Sequence, residues 1–321
     1  MFPKNNYLLF LKTNPLYCSC NFYILALAMK KQNKAYLFAL SAILLWSTVA
    51  TAFKIALKQV DFIQLLLFAS GVATIVLFII LIFENKLKLL GTLSVYEWLM
   101  AVLRGLLNPF LYYLILFKAY DMLPAQEAMT LNYTWPIVLI LLSVPLLKQK
   151  LSKQGVLAIL LSFVGVLVIA TKGNLLSLHF SDMKWDLLAL STSLVWAIFW
   201  IINLKCKADE SIKLFLSFGF GFLFTLPVVY YYSDFSLPNI EGLLAVSYVG
   251  IAEMGLTFFL WLSALKNAKR TDQVGQLIYL SPFLSLLFIA SILHEPIHFT
   301  TFIGLIFILV GIIWHKKTSK Q

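Results

Sequence analysis

The feature that most constrains this chain is a succession of apolar runs separated by short polar connections. A helix needs about 20 mostly apolar residues to cross a bilayer. The 321 residues are 61% hydrophobic and 12% charged, which leaves no room for a sizeable soluble domain. We therefore predict an all-α integral membrane protein with ten transmembrane helices in the lipid bilayer. The predicted spans are 35–57, 62–83, 98–117, 123–147, 155–171, 187–204, 214–232, 243–265, 274–293 and 299–314.

The distribution of basic residues predicts the orientation of these spans. If the N-terminus is placed in the cytoplasm, the inner segments carry seventeen Lys and Arg residues, whereas the outer loops carry four. Such an excess marks the cytoplasmic side. We therefore predict a multi-pass protein of the cell (inner) membrane with both termini in the cytoplasm. The formal charge of +11 then belongs to loops beside the membrane, and no nucleic-acid partner is expected.

The sequence contains an internal repeat centred on two similar motifs. Residues 131–136 read L-N-Y-T-W-P, and residues 277–282, which lie 146 positions later, read L-I-Y-L-S-P. Proline lacks a backbone donor, so Pro136 should bend or break its helix. Because each half has five helices, the second half must enter the membrane from the opposite side. This predicts an inverted five-plus-five repeat, a common architecture of secondary transporters.

The repeat divides the chain into four predicted parts. Residues 1–34 form an N-terminal extension and cytoplasmic start, 35–172 the first repeat, 186–315 the second repeat and 316–321 a cytoplasmic tail. Residues 1–28 do not fit the pattern, and the basic cluster after Met29 is typical of a cytoplasmic start, so we expect Met29 to be the natural first residue. A cleaved signal peptide is the alternative. The three cysteines show neither disulfide nor metal spacing, and no metal or other cofactor is expected.

Several motifs recur in the order and spacing of a known family. They are L-W-S-T at 45–48, A-Y at 119–120, the run at 250–265 and the paired motifs at 131–136 and 277–282. With them the chain resembles two EamA domains of the drug/metabolite transporter superfamily over about residues 35–315. The N-Y-x-W-P core at 132–136 is similar to the branch that contains bacterial aromatic amino-acid exporters. The resemblance implies ten helices, a central cavity between the halves and export of small organic solutes from the cytoplasm.

Glu253 is the most informative single residue, because an ionisable group within a membrane span is costly and is by default a functional candidate. Thr257 and Trp261 follow at helical spacing, so the three side chains should share one face. The carboxyl group could bind the amine of a substrate or couple transport to protons. The alternative is a structural carboxyl group that is hydrogen-bonded to a neighbouring helix.

Aromatic and amide side chains within the spans predict a cavity suited to flat apolar or cationic solutes. Packing between helices is the alternative interpretation for each ring. Gln276, in the second copy of the repeated motif, is expected to line the cavity, whereas its neighbour by symmetry, Glu127, is expected to be solvated at a helix mouth. The predicted substrate-binding residues are Trp46, Tyr112, Asn132, Tyr133, Trp135, Trp196, Glu253, Thr257, Gln276 and Tyr279, with Glu253 also the coupling candidate.

Three further features receive simpler interpretations. Lys54 and Arg104, the basic residues within spans, are expected to extend towards the membrane interface. For Arg104 the alternative is contact with an acid or capture of a carboxylate. His294 and His298 flank an acid in an outer loop, where a solvated turn is favoured over a metal site. Small residues such as Gly165 and Gly311 are expected to allow close helix contact.

The features together predict a secondary transporter that exports small organic solutes, such as amino acids or related metabolites. Export of cationic drugs or nucleotide-related metabolites is the main alternative. A membrane-embedded enzyme or a channel is disfavoured, because the sequence has no phosphate-binding loop, no H-E-x-x-H motif and no continuous polar stripe. The expected partners are a small-molecule substrate and the bilayer, and a homodimer remains open.

Overall fold

The computed structural model describes residues 15–147, 153–170, 172–173, 182–206, 208–268, 274 and 277–318, and this part of the chain is helical without strands. Its α-helices are α1 (Pro15–Leu57), α2 (Phe62–Phe83), α3 (Val95–Gly105), α4 (Tyr112–Met122), α5 (Ala125–Asn132), α6 (Trp135–Leu147), α7 (Lys153–Ala170), α8 (Met183–Lys205), α9 (Glu210–Tyr232), α10 (Ile240–Tyr248), α11 (Leu256–Asn267), α12 (Ser281–Phe288) and α13 (Phe299–Thr318).

Most of these helices have the length and composition of membrane spans. Seven stretches of the described residues are long and apolar enough to cross a membrane. Three shorter apolar helices, Lys153–Ile169, Leu277–Leu293 and Phe299–Trp314, coincide with the fifth, ninth and tenth predicted spans. Large apolar side chains such as Leu160 and Leu287 are exposed on the outer surface of the bundle, as expected for contact with lipid. The all-α membrane fold is therefore confirmed, and the count of ten spans stays a prediction.

The first helix is longer than the membrane span it contains. The stretch that can cross a membrane, Lys31–Leu57, contains the predicted span 35–57, whereas α1 begins at Pro15 and continues through Met29 to Leu57 as one helix of 43 residues. Proline is favoured in the first turn of a helix because its missing N–H has no intrahelical partner there. The apolar segment before Met29 thus extends the first helix.

Contacts between helices reproduce the repeat. Helix α1 of the first half packs on α11 and α12 of the second, and α8 of the second half packs on α4 and α6 of the first. The remaining major pairs, α2 with α9 and α7 with α13, each join corresponding helices of the two halves. Exchanging the halves therefore leaves the pattern of pairs unchanged, as expected for a duplicated bundle.

The pair α7 and α13 shows how closely corresponding helices approach. A Cβ atom at Gly165 would lie 2.5 Å from the carbonyl oxygen of Gly304, and one at Gly304 would lie 2.6 Å from that of Gly165. A Cβ atom at Gly311 would collide with the hydroxyl group of Ser162. The two backbones touch along this seam, which confirms the predicted packing role of Gly165 and Gly311.

Four spans depart from regular α-helix at corresponding places in the two halves. A π-helical segment, Leu106–Leu111, separates α3 from α4, and another, Val249–Gly255, separates α10 from α11. The next span of each half is interrupted at its repeated motif, by a turn between α5 and α6 and by the 3₁₀ segment Leu277–Leu280 before α12. Irregular backbone within a membrane is tolerated where it is buried in protein or lines a cavity.

Candidate functional site

The interrupted helices surround a central cavity of about 250 Å³. A buried water needs about 10–15 Å³ measured in the same way, so the space is sufficient for a small solute. Both halves contribute to the walls, from α1, α4, α5 and α6 on one side and from α8, α11, α12 and the second π-helical segment on the other. Eight of the ten predicted site residues line the cavity: Trp46, Tyr112, Asn132, Tyr133, Trp135, Trp196, Glu253 and Tyr279.

Glu253 lies within the π-helical segment Val249–Gly255 and is 8% exposed. The hydroxyl group of Tyr113 donates a hydrogen bond of 2.8 Å to its Oε1 atom. The other oxygen, Oε2, has no hydrogen-bond partner among the described residues, although the Trp46 indole interacts with the carboxyl group without meeting hydrogen-bond geometry. The site thus holds one buried acid whose Oε2 atom lacks a hydrogen bond from the described residues, and buried groups of this kind call for a partner.

Asn132 sits at the break between α5 and α6. Its Nδ2 atom lies 3.0 Å from the hydroxyl oxygen of Tyr112, and its Oδ1 atom accepts a bond of 2.9 Å from Thr192 in α8. Ser193, the next residue of α8, donates to the carbonyl oxygen of Asn132 at 3.1 Å and bonds to the hydroxyl of Thr134 at 2.8 Å. The predicted break before Pro136 is confirmed, and α8 supplies partners for the backbone that the break exposes.

Aromatic rings form most of the cavity wall. Trp46 lies 5.5 Å from Trp261 and 5.9 Å from Phe258, measured between ring centroids. Trp196 lies 4.7 Å from Tyr112 and 5.9 Å from Phe258. The rings of α1, α4, α8 and α11 therefore touch in sequence around the space, rather than lying in separate interfacial belts.

Sequence reasoning left out several of these residues. Phe258, Trp200 and Trp261 line the cavity but were not assigned to the site, and Tyr113 was not singled out at all. The helical spacing between Glu253 and Trp261 could have predicted that the Trp261 ring lines the cavity. Nothing in the sequence links Tyr113 to Glu253, because 140 residues separate them.

Two predicted site residues do not contribute to the described cavity. Thr257 is fully buried outside the lining, and its hydroxyl group donates to the carbonyl oxygen of Ala252 in its own span. The π-helical segment changes the angular register, so Thr257 does not stay on the face that a regular helix would give it. Gln276 lies outside the described residues.

The structure corrects the expectations for Glu127 and Arg104 and gives the partners of Lys54. Glu127 is 4% exposed and therefore buried rather than solvated. Arg104 is 1% exposed and packs against α9, where its Nε atom lies 3.4 Å from the hydroxyl of Ser217, so it does not extend to the interface. Lys54 donates to the carbonyl oxygens of Tyr120 and Leu123 at 2.8 and 2.9 Å, which neutralises the end of α4.

A set of hydrogen bonds, here called the outer clasp, joins the halves on the predicted outer side. The start of α5 contributes the backbone N–H of Ala125, which donates to Glu295 at 3.0 Å. Gln126 donates to the carbonyl oxygen of Pro296 at 2.8 Å and accepts from the N–H of His298 at 3.1 Å. Glu295 therefore binds a helix N-terminus, where negative charge is favoured, and the loop is not simply solvated.

The fold and the cavity together define a multi-pass membrane transporter. Two interrupted helical halves enclose a small polar and aromatic space at the middle of the apolar bundle, the arrangement in which transporters bind their solutes. Comparison with known proteins then specifies the family. The chain belongs to the EamA-like transporter family, whose profile matches residues 33–171 and again residues 183–315. It is a transporter and not an enzyme.

Individual relatives agree with this assignment. An uncharacterized transporter of Archaeoglobus fulgidus is 27% identical over 90% of this chain and 99% of its own length. The uncharacterized transporter YetK of Bacillus subtilis is 25% identical over 91% of this chain and 90% of its own length. A solved crystal structure superimposes with a TM-score of 0.63 at 20% identity, covering 89% of this chain and 99% of the other, and shows the shared fold.

Proposed function

We propose that this chain is a secondary transporter that exports small organic solutes, such as amino acids or related metabolites, across the cell (inner) membrane. The observation that supports it best is the buried carboxyl group of Glu253 in a cavity between the two halves, with its Oε2 atom lacking a hydrogen-bond partner in the part of the chain that the structure describes. A carrier must bind its solute before moving it, and a buried carboxyl group in a central cavity provides such a binding group. The two repeats, 35–172 and 186–315, act as the two halves of the carrier.

The proposed mechanism is alternating access. The interrupted spans of the two halves face each other across the cavity, and exchange of their conformations would exchange the side to which the cavity opens. The outer clasp supports a cycle in which the outer side is closed in this state. A gradient supplies the driving force, since the sequence has no phosphate-binding loop. Both termini lie in the cytoplasm in this proposal.

Counterflow in proteoliposomes tests the proposal. Vesicles containing the purified protein are loaded with one unlabelled amine or amino acid, and uptake of the labelled solute is followed. We expect saturable uptake that depends on the solute inside and that Glu253→Gln removes. Uptake that does not saturate would indicate a channel, and no exchange with any solute of the panel would contradict the proposal.

The substitution Glu241→Gln is a matched control. Glu241 is an acid in the same span as Glu253, but it lies exposed in the first turn of α10. Loss of a charge there should leave counterflow unchanged. Equal loss of exchange in both variants would show that the effect is not specific to the cavity.

A further inference from the structure

We propose that the central cavity selects solutes of net charge +1 that carry an apolar, preferably aromatic, body, and that Glu253 binds their amine. This inference deepens the proposed function and rests on it. Among amino acids and related metabolites, it favours organic monocations such as amines over zwitterions and excludes anions.

Charge balance in the cavity is the first argument. Of the described residues that line it, Glu253 alone carries a formal charge. The groups that act on its carboxyl are the hydroxyl of Tyr113 and the indole of Trp46, and both are neutral. A bound monocation would make the occupied cavity neutral. A zwitterion would leave a second carboxylate without a cationic partner, and burying an uncompensated charge is strongly unfavourable.

The geometry of the carboxyl group is the second argument. The hydroxyl of Tyr113 donates to Oε1 at 2.8 Å and so holds the group in place, while Oε2 is buried and has no hydrogen-bond partner within the described ranges. An ammonium group has donors and no acceptor, which makes it a suitable ligand for that atom.

The aromatic wall is the third argument. Trp46, Trp261 and Phe258 form contacts of 5.5 and 5.9 Å within the lining that also contains Glu253. The negative faces of such rings attract cations, most strongly when water is excluded. The same rings bury the apolar body of a solute. The carboxylate of Glu253 and the faces of the rings therefore both favour a positively charged solute.

Two further buried polar atoms define what else the solute can carry. The Trp200 Nε1 and Ser285 Oγ atoms line the cavity region and have no hydrogen-bond partner in the described part of the chain. Both can donate, and neither carries charge. They provide partners for a neutral hydroxyl or carbonyl group of the solute, or for water that accompanies it.

The test uses a series of ligands that differ mainly in charge. 2-Phenylethylamine is phenylalanine without its carboxyl group, 2-phenylethanol is the neutral counterpart and phenylacetate is the anion. Binding to the purified protein in detergent is followed by intrinsic fluorescence, since five of the eight tryptophans line the cavity. We expect 2-phenylethylamine to bind at least about tenfold more tightly than phenylalanine or 2-phenylethanol, because only its charge is matched. Phenylacetate should not bind.

Equal or tighter binding of phenylalanine than of 2-phenylethylamine would overturn the inference. Glu253→Gln should remove the preference for the amine over the alcohol, while Glu241→Gln should keep it. The ligand series on the unmodified protein gives the decisive comparison even where a variant does not fold.

Failure of this inference is distinguishable from failure of the proposed function. If zwitterions exchange in counterflow and amines do not, the transporter stands and its charge selectivity is refuted. If amines bind but no solute of the panel exchanges, the binding site stands and the transport proposal is refuted.

Discussion

At the scale of single residues, the bond between Tyr113 and Glu253 is the contact on which the site depends most. It joins α4 to the second π-helical segment and fixes one oxygen of the buried acid at 2.8 Å. Tyr113 is fully buried, so its hydroxyl group is shielded from bulk water. The removal of one partner of a buried hydrogen bond costs more than the bond itself contributes, because the remaining group stays desolvated.

Tyr113→Phe is therefore expected to destabilise the protein by about 1–3 kcal/mol. Thermal unfolding in detergent, followed by tryptophan fluorescence, measures the effect. Tyr231→Phe is the matched control, because that side chain is 74% exposed and its loss should change the melting temperature little. A Tyr113→Phe variant as stable as the control would show that the bond does not hold Glu253.

The sequence predicted which residues carry polar chemistry better than how they are oriented. Glu253 was identifiable because an acid within an apolar span is rare. Thr257 was assigned to the same face on the assumption of 3.6 residues per turn, and the π-helical segment breaks that assumption. Tyr113 had no local signal, since its role comes from contact with a distant span.

At the scale of helices, glycines of α9 decide how closely it approaches the first π-helical segment. A Cβ atom at Gly221 would collide with the ring of Pro109. At Gly219, in the same helix, the nearest atom would be 3.8 Å away, an ordinary contact. The two positions differ by two residues and therefore make a matched pair.

Gly221→Ala is expected to separate α9 from the segment Leu106–Leu111 and to destabilise the bundle by about 1–3 kcal/mol, as overpacking does. Gly219→Ala should be neutral or slightly stabilising, because alanine favours helix more than glycine. Melting temperatures of the two variants in the same detergent provide the measurement. Equal values would contradict the close approach of Pro109.

A charged network joins α2 to the start of α9 outside the spans. Lys86 lies 3.0 Å from Glu84 and 2.9 Å from Asp209. Burial lowers the pKa of Lys86, but its bonds to the two acids outweigh that effect and raise the pKa above its ordinary value. Burial likewise raises the pKa of Asp209, and the bonds from Lys86 and from the N–H of Ser211 outweigh it and lower the pKa.

These directions predict how the network responds to pH. The contribution of Asp209 is complete above its unfolded pKa of about 3.9 and is lost as the pH falls through the lower folded value. The contribution of Lys86 is complete below its unfolded pKa of about 10.4 and is lost as the pH rises through the higher folded value. Asp209→Asn should cost about 0.5–1 kcal/mol at neutral pH, since the pair is partly exposed. The difference from the unmodified protein should disappear in strong acid, and a difference that persists there would contradict the pairing.

The interruptions within the spans were not predicted from the hydropathy pattern. A single span over 98–117 was predicted, whereas the structure has α3 from Val95, a π-helical segment with Pro109 and α4 to Met122. Hydropathy indicates that a segment is apolar, but it does not indicate whether the helix is interrupted within that segment. Pro109 was an available signal, and Pro136 was used correctly because polar neighbours drew attention to it.

At the scale of the whole molecule, the cavity follows from the duplication. Each half contributes two interrupted spans, and the pairing of helices is unchanged when the halves are exchanged. The repeat, the membrane fold and the central site were accessible from sequence because they leave periodic signals. The hydrogen bonds of the outer clasp were not, since they join residues about 170 positions apart.

The most direct test of the central claim is access to the cavity from each side of the membrane. Ser285→Cys, in a chain whose native cysteines are replaced by serine, is exposed to a small membrane-impermeant cationic thiol reagent in vesicles of known orientation. We predict that the cysteine is modified from either side. Gln126→Ala loosens the outer clasp, so this substitution should increase the rate of modification from outside and decrease the rate from inside. Modification from neither side, or rates that the clasp variant leaves unchanged, would contradict a carrier that opens alternately at a central site.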